Sequence, residues 1–140
     1  MPELDLAPGE ALYYEYNAST NHMQTFIFVN ELTGNTGMWS GSICGTLQTA
    51  GYGTLVYNFR GQEHTTFGDA TALTPSVIVS DLCALIHHVK PPSPILVGLS
   101  IGGLFAAQAC LAGADTTGLV FINTLRKPTQ RLNWINRAMV

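Results

Sequence analysis

The chain has 140 residues, of which 46% are hydrophobic and 11% are charged, and its formal net charge at pH 7 is -3. This composition is typical of a folded globular domain and excludes a disordered chain. Without a cluster of lysines and arginines, the sequence offers no surface that would favour a nucleic acid or an anionic membrane as partner. No run of the sequence reaches the roughly 18 apolar residues of a membrane span.

The first half of the chain predicts four strands and one helix. Two short strands, residues 4–6 and 11–16, flank a Pro8-Gly9 turn and should form an antiparallel edge of the sheet. Residues 25–29 form a continuous apolar run, which is typical of a central strand covered on both faces. Helical spacing of apolar and small residues predicts a helix over residues 38–50, and residues 53–58 predict the next strand.

The second half alternates helix and strand. Thr74-Pro75 opens a helix with a capping hydroxyl and a proline at its first position, and Pro91 ends it. Apolar runs predict buried strands at residues 95–97 and 118–123, with a helix over residues 104–112 between them. Alternating strands and helices predict an α/β fold, a mostly parallel sheet with helices on both faces and right-handed crossovers.

One turn between a strand and a helix has the pattern that nucleophilic chemistry needs. In Gly98-Leu99-Ser100-Ile101-Gly102, followed by Gly103, the glycines leave room for a sharp turn that exposes the Ser100 hydroxyl. The Ile101 amide and the start of the helix would then face negative charge developing on a bound carbonyl oxygen. The alternative is an ordinary glycine-rich turn between strand and helix, such as a phosphate-binding loop, but the sequence contains neither G-x-x-x-x-G-K-[ST] nor G-x-G-x-x-G.

This turn resembles the nucleophile elbow of the α/β-hydrolase superfamily. Asn30-Glu31-Leu32, with Trp39 downstream, lies where superfamily members carry His-Gly-x-Pro and a tryptophan. The resemblance implies that the amide of Leu32 joins that of Ile101 in an oxyanion hole. Asn30-Glu31 departs from the His-Gly pattern, and we expect the Glu31 side chain to face solvent or to pair with Arg60.

A third segment, residues 57–62, resembles the Asp-x-Arg-Gly-x-Gly turn of the superfamily. The resemblance implies that Arg60 organises loops near the site and is not a catalyst; an ordinary solvated arginine is the alternative. Together with His64, which follows this segment, three of these residues are candidates for the rim of the site: Asn30, Glu31 and Arg60.

A catalytic serine needs a base, and the base needs an orienting carboxylate. In the superfamily both follow the serine, but here no histidine follows Ser100 and the only later carboxylate is Asp115, before the last strand. From their positions in the sequence, His22, His87 and His88 are expected at the opposite edge of the sheet, far from Ser100. His64 follows a strand and is the candidate base, with Asp69 to orient it; a solvated loop histidine is the alternative.

The resemblance covers the first six strands of the superfamily fold, so the chain is expected to be a single domain truncated after the sixth strand. Its core would span residues 4–125, and residues 126–140 would begin a lid. The last strand would then leave an apolar edge open to self-association: Leu119, Val120, Phe121 and Ile122.

The expected function is hydrolysis of an ester, thioester or related acyl bond of a small-molecule substrate through an acyl-enzyme on Ser100. Acyl transfer by the same serine and a non-catalytic binding module remain alternatives. No metal or organic cofactor is implied, and the isolated chain is expected to turn over weakly or not at all. Three widely spaced cysteines, Cys44, Cys83 and Cys110, predict buried thiols and a reducing, cytoplasmic location.

Overall fold

The computed structural model describes residues 2–65, 68, 73–125, 127 and 130. Over these residues it contains six strands and four helices. The strands are β1 (Glu3–Ala7), β2 (Glu10–Asn17), β3 (Thr25–Val29), β4 (Gly53–Tyr57), β5 (Pro94–Leu99) and β6 (Gly118–Ile122). The helices are α1 (Gly37–Ser40), α2 (Ile43–Thr49), α3 (Pro75–Val89) and α4 (Ile101–Leu111).

The strands form one sheet in the order β1-β2-β4-β3-β5-β6. The hairpin of β1 and β2 is antiparallel and joins β4 in antiparallel orientation, whereas β4, β3, β5 and β6 run parallel. The predicted mostly parallel sheet is confirmed, with β3 at its centre and the hairpin at one edge. Because parallel strands end at the same side, the loops after β3, β4 and β5 lie together there.

Alternate residues of each strand point to opposite faces of the sheet, which gives the fold two apolar layers. Ile27, Leu55 and Leu96 pack against α3 and α4 on one face. Phe28, Val56 and Val97 pack on the other face, against the tryptophan of α1 and the cysteine of α2. The continuous apolar runs of the central strands thus reflect burial on both sides.

Helix α3 has the predicted ends. The Thr74 hydroxyl accepts a hydrogen bond from the amide of Val77 at 3.2 Å, and Pro75 occupies the first turn, where its missing N–H costs nothing. Lys90 ends the helix in a left-handed conformation and donates its amide to the carbonyl of Ile86 at 2.9 Å. The helix therefore stops before Pro91.

Two predicted helices have different bounds in the structure. The helix predicted over residues 38–50 is divided into α1 and α2, with Gly41 and Ser42 between them. Glycine has low helix propensity, and the Ser40 hydroxyl donates to the Thr36 carbonyl, a bond that often bends helices. Helix α4 begins at Ile101, before the predicted start at residue 104, and so includes Gly102 and Gly103.

The last strand differs from the expectation of a buried strand. Leu119, Val120, Phe121 and Ile122 are 38%, 40%, 53% and 38% exposed. In the described part of the chain β6 pairs with β5 alone, so its outer edge is open, as the apolar-edge prediction required. The predicted lid over residues 126–140 lies outside the described residues, apart from 127 and 130.

None of the helices in the described ranges has the length and apolar character needed to cross a membrane.

Candidate functional site

Ser100 lies between β5 and α4 in a strained backbone conformation. Its φ of 54° and ψ of -122° are unfavourable for a residue with a side chain, and such strain persists only where neighbouring contacts hold it. The Ser100 amide donates to the Ile122 carbonyl at 2.8 Å, and the Ser100 carbonyl accepts from the Gly103 amide at 3.1 Å and the Thr124 hydroxyl at 2.9 Å. The Ser100 residue is exposed.

The three glycines around Ser100 permit close contacts that a Cβ atom would prevent. A Cβ on Gly98 would collide with the backbone of Gly103, and one on Gly103 would collide with the side chain of Thr124. A Cβ on Gly102 would lie 2.5 Å from the carbonyl oxygen of Asn30. The start of α4 therefore packs directly against the end of β3, where the proposed oxyanion loop begins.

Two backbone amides beside this contact are free to donate. Ile101 is the first residue of α4, so its N–H has no partner within the helix and carries part of the positive end of the helix dipole. Leu32 lies two residues after Asn30 in a turn that the Gly34 amide closes on the Glu31 carbonyl at 3.2 Å. In the part of the chain that the structure describes, neither the Ile101 nor the Leu32 amide has a hydrogen-bond acceptor.

Asn30 was expected at the rim of the site, and this expectation is wrong. Its side chain is fully buried, because it occupies the end of a central strand beneath the following loop. The Asn30 amide nitrogen donates to the Tyr57 carbonyl at 2.9 Å, Asn58 Oδ1 at 3.2 Å and Gln62 Oε1 at 2.9 Å. Its Oδ1 accepts from the Trp39 indole at 2.6 Å. Asn30 thus ties the loops after β3 and β4 together.

Gln62 lies against the loop after β3, and no pattern in the sequence marks it as a candidate. It is 8% exposed, and its Nε2 donates to the carbonyls of Glu31 at 2.7 Å and Leu32 at 3.4 Å. Its Oε1 also accepts the Phe59 amide at 3.2 Å. The only signal in the sequence was its place in the segment that follows β4, since one glutamine in a polar loop is unremarkable.

Arg60 does not pair with Glu31, nor is it a solvated arginine. It donates to both oxygens of Asp81, at 2.6 and 3.1 Å, and to Glu10 at 2.9 Å. The hydrogen bonds to Asp81 raise the pKa of the guanidinium. The Glu31 carboxylate instead accepts from the Thr33 hydroxyl at 3.0 Å. Arg60 therefore joins the turn after β4 to β2 and α3.

A family model described as an alpha/beta hydrolase family matches residues 27–140. The chain belongs to this family. No curated protein matches it by sequence. Among solved structures, the chain is similar to a carboxylesterase of Nitrososphaera gargenis, with 22% identity, a TM-score of 0.83 and coverage of 99% of this chain and 51% of that one. It is also similar to an enol-lactonase of Burkholderia xenovorans, with 22% identity, a TM-score of 0.76 and coverage of 99% and 52%.

An esterase of Exiguobacterium antarcticum matches at 21% identity with a TM-score of 0.77, covering 94% of this chain and 48% of that one. These likenesses establish the α/β-hydrolase fold of the described sheet. The chain spans about half the length of each of these three structures.

The structure does not bring His64, the candidate base of this α/β-hydrolase chain, to Ser100. The His64 ring packs on Tyr13 of β2 with 5.4 Å between centroids, and its Nε2 lies 3.4 Å from Glu63. Strand β2 lies three strands from β5, about 14 Å across the sheet at the usual strand spacing. Asp69, its expected partner, lies outside the described residues.

The other histidines also have positions away from the elbow. His22 stacks on Tyr52 at 4.5 Å, and His88 contacts the Tyr14 hydroxyl at 3.4 Å near the end of α3. His87 is exposed beside it. Over the residues described, no group of three His, Cys, Asp or Glu side chains is placed to hold a metal ion. The three cysteines are free. Cys44 is buried as expected, whereas Cys83 and Cys110 are only half-buried, and desolvation raises the pKa of each thiol.

Proposed function

We propose that this chain supplies the nucleophile and the oxyanion hole of a serine hydrolase that cleaves an ester, thioester or related acyl bond. The observation that carries the proposal is the conformation of Ser100, exposed in a strained turn that hydrogen bonds hold on both sides. Strain at such a position is costly, and proteins retain it where the site needs it. The carboxylesterase, esterase and enol-lactonase among the structural neighbours support the same class of bond.

The reaction proceeds through an acyl-enzyme. Ser100 Oγ attacks the acyl carbon while a base removes the hydroxyl proton, and the amides of Ile101 and Leu32 donate to the resulting oxyanion. In other enzymes, removing one such donor raises the activation barrier by about 3 kcal/mol. The C–O or C–S bond of the tetrahedral intermediate then breaks, and the leaving group departs with the proton. Water attacks the acyl carbon in turn, regenerating Ser100 and releasing the acid.

The base and its carboxylate are proposed to come from residues outside this sequence. No histidine follows Ser100, and His64 packs beside β2. The 140-residue chain alone is accordingly expected to hydrolyse esters weakly, because an unassisted serine hydroxyl is a poor nucleophile.

The test is labelling of the full-length gene product with a fluorophosphonate, followed by peptide mapping. One adduct is expected, on Ser100; it should be absent in Ser100→Ala and retained in Ser76→Ala, which alters an exposed serine of α3. A folded protein whose Ser100 stays unlabelled would contradict the proposal and favour a binding module. A product that forms only with an added alcohol or amine would indicate acyl transfer.

A further inference from the structure

We infer that Gln62 is a positioning residue, the last member of a hydrogen-bond relay from Trp39 through Asn30 that orients the Leu32 amide toward the oxyanion. This inference rests on the proposed function for its catalytic consequence. The geometric part, that Gln62 fixes the peptide between Glu31 and Leu32, stands on the hydrogen bonds alone.

The direction of every bond in the relay follows from the indole at its start. An indole N–H can only donate, so the atom of Asn30 that faces Trp39 Nε1 must be Oδ1. The Asn30 amide nitrogen then donates to Gln62, whose Oε1 is thereby fixed as the acceptor. This leaves Gln62 Nε2 to face the two loop carbonyls, both of which can only accept.

Holding the Glu31 carbonyl also fixes the amide of the next residue. The structure contains no cis peptide bond among its described residues, and in a trans peptide the C=O and N–H point in opposite directions. Because Gln62 Nε2 binds the Glu31 oxygen at 2.7 Å, the N–H of Leu32 must point away from Gln62. Within the described chain that N–H has no acceptor, so it is free for the oxyanion.

Burial makes the relay rigid. Trp39, Asn30 and Gln62 are 3%, 0% and 8% exposed, so water cannot replace a bond that is lost. A buried polar group without a partner is unfavourable, which disfavours any alternative orientation of either side-chain amide. The oxyanion donor is therefore held in place before a substrate arrives.

The decisive variant is Gln62→Glu in the full-length gene product, assayed with p-nitrophenyl acetate. A carboxylate still accepts from Asn30 and Phe59 but has no N–H for the loop carbonyls. We expect kcat to fall by about tenfold to a hundredfold, with KM changed less than about twofold, because the misplaced donor acts on the transition state. Trp39→Phe, which removes the directing N–H and keeps a ring against Phe28, should lower kcat in the same way.

Thr65→Val is the matched control for a purely structural effect. Thr65 is 8% exposed in the same turn, and its hydroxyl donates to the Asn58 carbonyl and accepts from the Tyr13 amide. Its backbone amide donates to the Gln62 carbonyl at 3.2 Å, a bond that valine keeps, so the substitution leaves the Gln62 side chain and its partners unchanged. Thr65→Val and Gln62→Glu should both lower the melting temperature, because each removes buried hydrogen bonds. Thr65→Val should nevertheless leave kcat within about twofold of the native value. Equal losses of kcat in Thr65→Val and Gln62→Glu would overturn the inference.

A readout independent of activity separates this inference from the proposed function. The 15N chemical shift of the Leu32 amide senses the hydrogen bond on the Glu31 carbonyl, so it should move in Gln62→Glu and stay in Thr65→Val. If Ser100→Ala retains full activity, the proposed function is wrong and the Leu32 shift alone decides the relay. An unchanged Leu32 signal, or an unchanged kcat where Ser100→Ala is inactive, overturns the inference.

Discussion

The guanidinium of Arg60 and the carboxylate of Asp81 form a two-bond ion pair, with Nε 2.6 Å from Oδ2 and Nη2 3.1 Å from Oδ1. The Arg60 and Asp81 side chains are 13% and 6% exposed, so the pair links the turn after β4 to α3 with little access of water. The same turn carries Gln62. The ion pair thus supports the segment that reaches the loop after β3.

Arg60→Met is expected to lower the free energy of unfolding by about 3 kcal/mol, because it leaves the Asp81 carboxylate buried without its two donors. The double variant Arg60→Met/Asp81→Leu should recover most of this loss, since an apolar pair can replace a buried ion pair. Urea denaturation followed by tryptophan fluorescence measures both. A double variant that is no more stable than Arg60→Met would contradict this account.

Ser100→Gly is expected to raise the free energy of unfolding by about 1 kcal/mol. Glycine adopts the Ser100 backbone conformation without strain, and the strain relieved exceeds the added entropy of the unfolded chain. Ser100→Ala, which keeps the Cβ atom, is the control and should have native stability. Thermal unfolding of the two variants distinguishes them; equal stability would mean that the turn is not strained.

The open edge of β6 predicts self-association of the 140-residue chain at micromolar concentration. Phe121→Lys should shift the chain toward the monomer, because a charge on an exposed edge strand opposes pairing with a second strand. Leu111→Lys is the control: Leu111 is 82% exposed but lies at the end of α4. Size-exclusion chromatography with light scattering measures the mass. A native chain that elutes as a clean monomer would count against this prediction.

Stability is expected to fall at alkaline pH because of buried acidic groups. Burial raises the pKa of the Cys44 thiol and of the Tyr57 hydroxyl, which has no hydrogen-bond partner in the described structure. The folded state then keeps protons that the unfolded state releases, above about pH 8.5 for the thiol and about pH 10 for the phenol. The stabilisation of the folded state by these two protonated groups is thus complete below those pH values and is lost as the pH rises above them.

Urea denaturation at several pH values between neutral and about 10.5 checks this dependence. Tyr57→Phe should lose less stability than the native chain above about pH 10, because its ring carries no ionisable group. A parallel decline in the two proteins would exclude Tyr57 as a source.

The sheet could be predicted from the sequence because each central strand is a continuous apolar run bounded by turn residues. The ends of α3 could be predicted because Thr74, Pro75 and Pro91 act locally. The division of the helix after β3 could not, since a single glycine such as Gly41 is often tolerated within a helix. Glycines at elbow spacing predicted the turn at Ser100, and the family match supports the fold around it.

The hydrogen bonds around the candidate site could not be predicted from the sequence. Asn30 and Gln62 are 32 positions apart and meet only because β3 and β4 pair in parallel. The partner of Arg60 could not be predicted for the same reason: Asp81 lies on a helix whose packing, not its spacing in the sequence, brings it to the turn. Local patterns predict elements, whereas contacts between loops depend on the assembled sheet.

The hydrogen bond from the Ser100 amide to the Ile122 carbonyl ties β6 to the strained turn at Ser100. Fraying of this outermost strand would release the Ser100 N–H to exchange with solvent and allow the turn to relax. Hydrogen exchange at the Ser100 amide therefore reports both on the opening of β6 and on the conformation of the Ser100 turn.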